Sequence, residues 1–140
     1  MNYIIDFNIL FSSMLSGKSF YKVLFRNNNF YTPDFIFIEL QKYESQIIEN
    51  TKLETDQLIS YSKFLFSYLK VFPNLVITLK SKQYAYDLCK DIDLKDITYL
   101  ALSIELEIPL ITRDELLFKG LRKKGYKNVI LFSDFINSNL

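Results

Sequence analysis

The stretch DIDLKDITYLALSIELEIPLITRDELL, residues 91–117, carries the pattern that decides the fold. It opens on three acids, Asp91, Asp93 and Asp96. Ile97, Leu100, Ala101 and Ile104 then recur at helical spacing, with Leu94 one turn earlier, which predicts an amphipathic helix. Pro109-Leu110-Ile111-Thr112 reads as a short apolar strand, and Asp114 follows almost at once. A carboxylate thus stands directly behind a buried strand. The chain opens the same way: in MNYIIDFNIL, residues 1–10, Asp6 stands behind Tyr3-Ile4-Ile5.

Outward from these two points, strands and helices alternate. NYIID is a strand, and FNILFSSML is a helix that ends near Gly17. SFYKVLFRN is a second short helix, and NNNFYT holds a turn and a strand. Thr32-Pro33-Asp34 has the form of a helix start, a Thr cap and then Pro in the first turn, so a helix is expected from about Pro33 to Asn50. LETDQLISYSKFLFSYLKVF pairs with it as a helical hairpin. NLVITL, after Pro73, is expected to be a strand, and SKQYAYDLCKDI a helix. DELLFKGLRKKG is a helix ending at Gly125 with basic residues in its last turn, NVILF a final strand and SDFINSN a short terminal helix. Apolar strands alternating with helices predict an α/β fold in one domain over residues 1–140: a mainly parallel sheet covered by helices on both faces. Ligands of such sheets bind beyond the carboxyl ends of the strands, where Asp6 and Asp114 fall.

The composition narrows the chemistry. With 140 residues, 49% apolar and 24% charged, the chain has material for a sizeable core. Lys and Arg number 17 against 16 Asp and Glu, so a polyanion would be met by a local patch or through metal ions rather than by net charge. Histidine is absent, which removes Ser-His and Cys-His nucleophile pairs, His bases and His metal ligands. The single cysteine, Cys89, reads as a small buried hydrophobe in a reducing, cytoplasmic setting. The apolar start lacks a basic leader and is interrupted by Asp6, so it reads as structure rather than as a signal peptide; no stretch reads as a membrane span. The 13 Phe and 10 Tyr are assigned to the core and to a subunit interface.

The acids carry two readings each. Asp6 and Asp114 can cap the helices that follow them or face a ligand. Thr112 shares the capping role with Asp114, and can orient a carboxylate or a water. Glu39 is flanked by Phe35, Ile36, Phe37, Ile38 and Leu40, so it lies on a narrow solvent stripe or aims into a polar pocket; the residues alone favour the stripe. Of Asp91, Asp93 and Asp96, at least one is expected to cap the helix start. Glu105 and Glu107 read as solvated. If four carboxylates converge in a protein without histidine, their repulsion calls for a cation, and hard ions with oxygen ligands, Mg²⁺ or Mn²⁺, answer it.

On these residues the chain resembles the PIN-domain nucleases. YIIDFNILFSSML resembles their opening strand, Asp-x-Asn and apolar helix; IEL resembles their Glu segment; residues 91–117 resemble their acid, Ala-Leu-rich helix, strand and Thr-x-Asp. The resemblance implies a Rossmann-like three-layer α/β/α sandwich and a Mg²⁺- or Mn²⁺-dependent endoribonuclease acting on RNA. It implies Asp6, Glu39, Asp96 and Asp114 as the metal-holding acids, with Asn8, Thr112 and Asp93 in support. Arg113 stands where many members have Gly, and can reach a phosphate or form a salt bridge. Small members of this kind are mostly toxins of bacterial toxin–antitoxin pairs, which implies a homodimer and an antitoxin partner.

Lys119, Arg122, Lys123, Lys124 and Lys127 cluster in KGLRKKGYK. They can contact RNA phosphates, or complement the end of a helix; the second is preferred. Three rivals stand beside the nuclease: a PIN-like module that binds RNA or protein without cutting, a phosphotransfer domain with Asp6 as nucleophile, and a structural subunit.

Overall fold

The structure is a computed structural model and describes residues 1–139. Five parallel strands form one sheet, β1 Asn2–Ile5, β2 Asn29–Pro33, β3 Leu69–Phe72, β4 Leu110–Thr112 and β5 Val129–Leu131, in the order β3-β2-β1-β4-β5. The helices are α1 Phe7–Ser16, α2 Ser19–Asn27, α3 Phe35–Asn50, α4 Thr55–Tyr68, α5 Leu79–Cys89, α6 Ile97–Leu106, α7 Glu115–Lys123 and α8 Phe132–Asn139. The expected α/β architecture is therefore present. Successive strands step outward from β1 to β3, and the chain then crosses back to lay β4 on the other side of β1. The order reverses between β1 and β4, and the crevice at their carboxyl ends is where open α/β sheets take ligands.

Both sheet faces are covered. On one, α6 packs across β1, β2 and β4, with α5 against its back. On the other, Tyr3 meets Phe135 edge-on at 4.9 Å and Phe30 meets Phe25 at 4.8 Å, so rings join β1 and β2 to α2 and α8. Much of the aromatic content is accounted for here, as core, at roughly 1 kcal/mol per well-formed pair beyond area burial. Cys89 is fully buried, and burial pushes its thiol up to about 12, which leaves it inert at neutral pH.

Several elements differ from the sequence reading. The strand expected at NLVITL is a 3₁₀ turn, Asn74–Val76, with Leu75 exposed, and the third strand is Leu69–Phe72, read above as the tail of a helix. The Leu69 N–H still donates to the Leu65 carbonyl, so helix passes into strand without a breaker to mark the change. Thr32 and Pro33 belong to β2, and α3 starts at Phe35; the Thr32 hydroxyl instead donates to the Ile5 carbonyl at 3.0 Å, tying β2 to the end of β1. The helix α6 is buried nearly all round rather than amphipathic, because it lies between the sheet and α5.

Candidate functional site

Register sets the site. Ile5 on β1 lies opposite Ile111 on β4, so one residue further on Asp6, just past β1, stands beside Thr112, the last residue of β4. Asp6 accepts the Ile9 N–H at 3.2 Å and caps α1; Asp114 accepts the Leu117 N–H at 3.0 Å and caps α7. The capping reading therefore holds for both. A carboxylate has two oxygens, however, and capping with one leaves the other for a ligand. The Thr112 hydroxyl accepts the Asp114 N–H at 3.0 Å, which shapes the turn that carries Asp114.

The third component comes from the turn before α6. Asp93 caps the 3₁₀ turn Leu94–Asp96 by accepting the Lys95 N–H at 3.1 Å, the cap expected among these acids. Asp96 occupies the N-cap position of α6 but makes no capping bond with its side chain. Asp93, Asp96 and Asp114 each offer a carboxylate oxygen, and the three oxygens lie within 4.8 Å of one another. The sequence reading gives Asp93 only a supporting place; the geometry makes it a full member. Asp91 is elsewhere, paired with Lys124.

Asp6, Glu39 and Asp96 line an adjoining cleft of about 200 Å³, with Asn8, Lys95 and Tyr99 among its other walls. Glu39 is half-buried rather than on a solvent stripe, because the hydroxyl of buried Tyr99, on α6, donates to its carboxylate. Asp6 and Asp96 are 3% and 5% exposed. Burial, then the charge of Asp96, pushes Asp6 up to about 7, against the Ile9 N–H, with Glu39 adding to the rise. Burial, then the charge of Asp93, pushes Asp96 up to about 6; Asp114 and Glu39 add to this and Lys95 opposes it. The Tyr99 phenol is pushed up by burial and by its bond to Glu39, so it stays a proton donor.

Such a donor set fits a hard divalent cation. All the ligand atoms are carboxylate oxygens, three of them converge, and two of the acids are buried where a proton or a cation must accompany them. Lys95 and Tyr99 escaped the sequence reading. Tyr99 lies one helical turn after Asp96, a usable signal, but its partner Glu39 is 60 residues away.

The basic residues have different partners. Arg113 donates to the Tyr21 hydroxyl at 2.5 Å and lies over the Phe132 ring at 4.3 Å, so α2 and α8 hold it, and among the described residues it forms no salt bridge. Lys119 pairs with Glu115 at 3.9 Å, and the Arg122 guanidinium is 5.7 Å from the centre of the Phe118 ring. Lys123 is exposed in the last turn of α7. Lys124 donates to the Leu88 carbonyl at 2.9 Å and pairs with Asp91, anchoring the end of α7 to α5. Glu105, read as solvated, accepts the Thr78 N–H at 2.7 Å and the Ser81 hydroxyl at 3.0 Å at the start of α5.

No curated protein matches the chain in sequence. Among solved structures it is similar to VapBC2 from Rickettsia felis, crystallised bound to a DNA fragment from their promoter, with a TM-score of 0.58 at 20% identity over 94% of this chain and 97% of that one. That similarity is one of fold. The family model of the PIN domain matches residues 4–132, nearly the whole length, and the chain belongs to the PIN domain family.

Proposed function

We propose that this chain is a Mg²⁺- or Mn²⁺-dependent endoribonuclease, the toxin of a toxin–antitoxin pair, working in the cytoplasm as one domain over residues 1–140. The observation that carries the proposal is the convergence of Asp93, Asp96 and Asp114 at the switch point of the sheet, beside the buried Asp6. Membership of the PIN domain family, whose members are nucleases, supports it. Asp6, Asp96 and Asp114, with Asp93, would hold the ion, which supplies polarisation of a phosphoryl oxygen and of water.

This chain's own groups provide the rest. Thr112 fixes the turn of Asp114, and the caps at α1 and α7 fix the rotamers of Asp6 and Asp114, so the acids are set before substrate arrives. Tyr99 holds Glu39 at the cleft wall, where its carboxylate either completes the ligand set or accepts a hydrogen bond from the attacking water. Asn8, exposed at the cleft wall, is placed to contact the sugar or phosphate of the strand.

A partner is supported by surface as well. An apolar groove of about 580 Å³ runs between α3 and α4, lined by Leu40, Ile47, Ile48, Leu58, Ile59 and Phe66, and it suits an apolar segment of an antitoxin. Leu75 and Leu79 are 91% and 83% exposed, which supports self-association as a homodimer. Among the described residues no helix is long and apolar enough to cross a membrane.

The test is cleavage of a mixed cellular RNA pool with and without Mn²⁺, comparing the wild type with Asp114→Asn. Metal-dependent cutting is expected, reduced at least about 100-fold in the variant. Cutting that persists in a chelator, or in Asp114→Asn, overturns the reading. Measurable Mn²⁺ binding without any cutting favours instead a PIN-like module that binds RNA or protein.

A further inference from the structure

Among the described residues lining the cleft, one is a base: Lys95. Its ammonium lies 3.6 Å from the Asp93 carboxylate, and Asp93 belongs to the trio whose oxygens converge within 4.8 Å. The side chain is 66% exposed, on a flexible stem, so the ion pair is weak and easily exchanged. The backbone is not free in the same way. The Lys95 N–H donates to the other Asp93 oxygen at 3.1 Å, inside a 3₁₀ turn bounded by two acids of the trio. The root of the side chain is therefore fixed at the cleft wall while its tip can swing.

Two cations cannot share Asp93 at full strength. A divalent ion entering the trio repels the ammonium and competes for the same carboxylate. Once released, the ammonium remains within one side-chain length of the cleft, where a phosphate of a strand lying across it would come within its reach.

We propose that Lys95 is a tethered cation that offsets part of the charge of the acid trio when no divalent ion is bound, and that turns to a substrate phosphate when one is. The proposal rests on the metal-dependent ribonuclease reading. It requires effects of opposite sign from one substitution, which a merely structural lysine would not give.

The experiment compares the full-length wild type, Lys95→Gln and Lys95→Arg, with folding checked by circular dichroism. Mn²⁺ affinity is measured by calorimetry, and affinity for a labelled single-stranded RNA by anisotropy in Ca²⁺. Lys95→Gln is expected to bind Mn²⁺ about three- to tenfold more tightly and RNA about three- to tenfold more weakly. Lys95→Arg, which keeps the charge, is expected to stay near the wild type in both. Mn²⁺ affinity unchanged or lowered in Lys95→Gln, or RNA affinity unchanged, overturns the proposal while leaving the nuclease reading in place. A wild type that binds no Mn²⁺ overturns the metal reading and this proposal with it.

Discussion

Asp96→Asn is expected to make the metal-free protein more stable, although it removes a residue of the candidate site. Asp96 is buried and its carboxyl is raised from 3.8 to about 6. A carboxyl with a folded-state pKa above its unfolded value contributes stability at low pH, and loses it as pH rises through the folded value. A rise of that size corresponds to about 3 kcal/mol withdrawn from the ionised protein. Burial and the neighbouring charges share that cost, so removing the charge is expected to return about 1–3 kcal/mol, or about 3–9 °C in Tm at this chain length. Asn is close to isosteric, and Asp96 makes no side-chain capping bond that would be lost.

The assay is thermal unfolding in a chelator at pH 8 and again at pH 5. At pH 8 the variant should melt above the wild type. At pH 5, below about 6, the Asp96 carboxyl of the wild type is largely protonated and the gap should shrink. Mn²⁺ at one hundred times its Kd should then raise the wild type by about 2.7 kcal/mol and the variant by much less, which closes most of the gap or reverses it. An Asp96→Asn variant that melts markedly below the wild type at pH 8, or a gap independent of pH, would refute the picture of clustered, only partly compensated acids.

Three other outcomes are expected. Tyr99→Phe removes the hydroxyl that holds Glu39, so cleavage kcat should fall about tenfold with KM little changed; an unaltered kcat would show that Glu39 needs no such support. Gly17→Ala should cost about 1–3 kcal/mol in urea unfolding, because φ is +62° there and an added Cβ would meet the Leu53 side chain at 2.5 Å; a neutral result would mean that this C-cap relaxes freely. Lys124→Ala should cost about 1 kcal/mol of stability and leave the salt dependence of RNA binding unchanged, since its ammonium is committed to Leu88 and Asp91; a flatter salt slope would return this lysine to the RNA surface.

How much of the molecule was legible depended on whether the signal was local. Asp6 and Asp114 could be read because each stands at or just beyond the end of a short apolar strand, and a strand end in a parallel sheet makes that juxtaposition useful. The third strand could not. No Gly or Pro occurs between Leu53 and Phe72, so the helical pattern ran on, while Val76 and Ile77 gave β-like composition to a segment whose place in the sheet Leu69–Phe72 already fills. β propensity measures fit to a pleated, half-buried surface, and an apolar run without a neighbouring strand has no such surface. The site divides likewise. Caps at Asp6, Asp93 and Asp114 are decided within three residues, whereas the inward aim of Glu39 is decided by a phenol on another helix.

Capping and ligation by the same acids follow from this economy of position. A helix beginning directly behind a strand needs an acceptor for its first N–H groups, and Asp supplies one with a single oxygen. The second oxygen is then fixed in direction at the carboxyl edge of the sheet. When two such strands flank a topological switch point, their caps face one crevice without further design. Adding Asp93 and Asp96 from the turn before α6 crowds the crevice with negative charge, which adds to burial, the larger cause, in raising Asp6 and Asp96. The stability lost to that crowding is the same free energy that a divalent cation recovers on binding, so metal affinity and apo-state destabilisation should rise and fall together across substitutions of these acids.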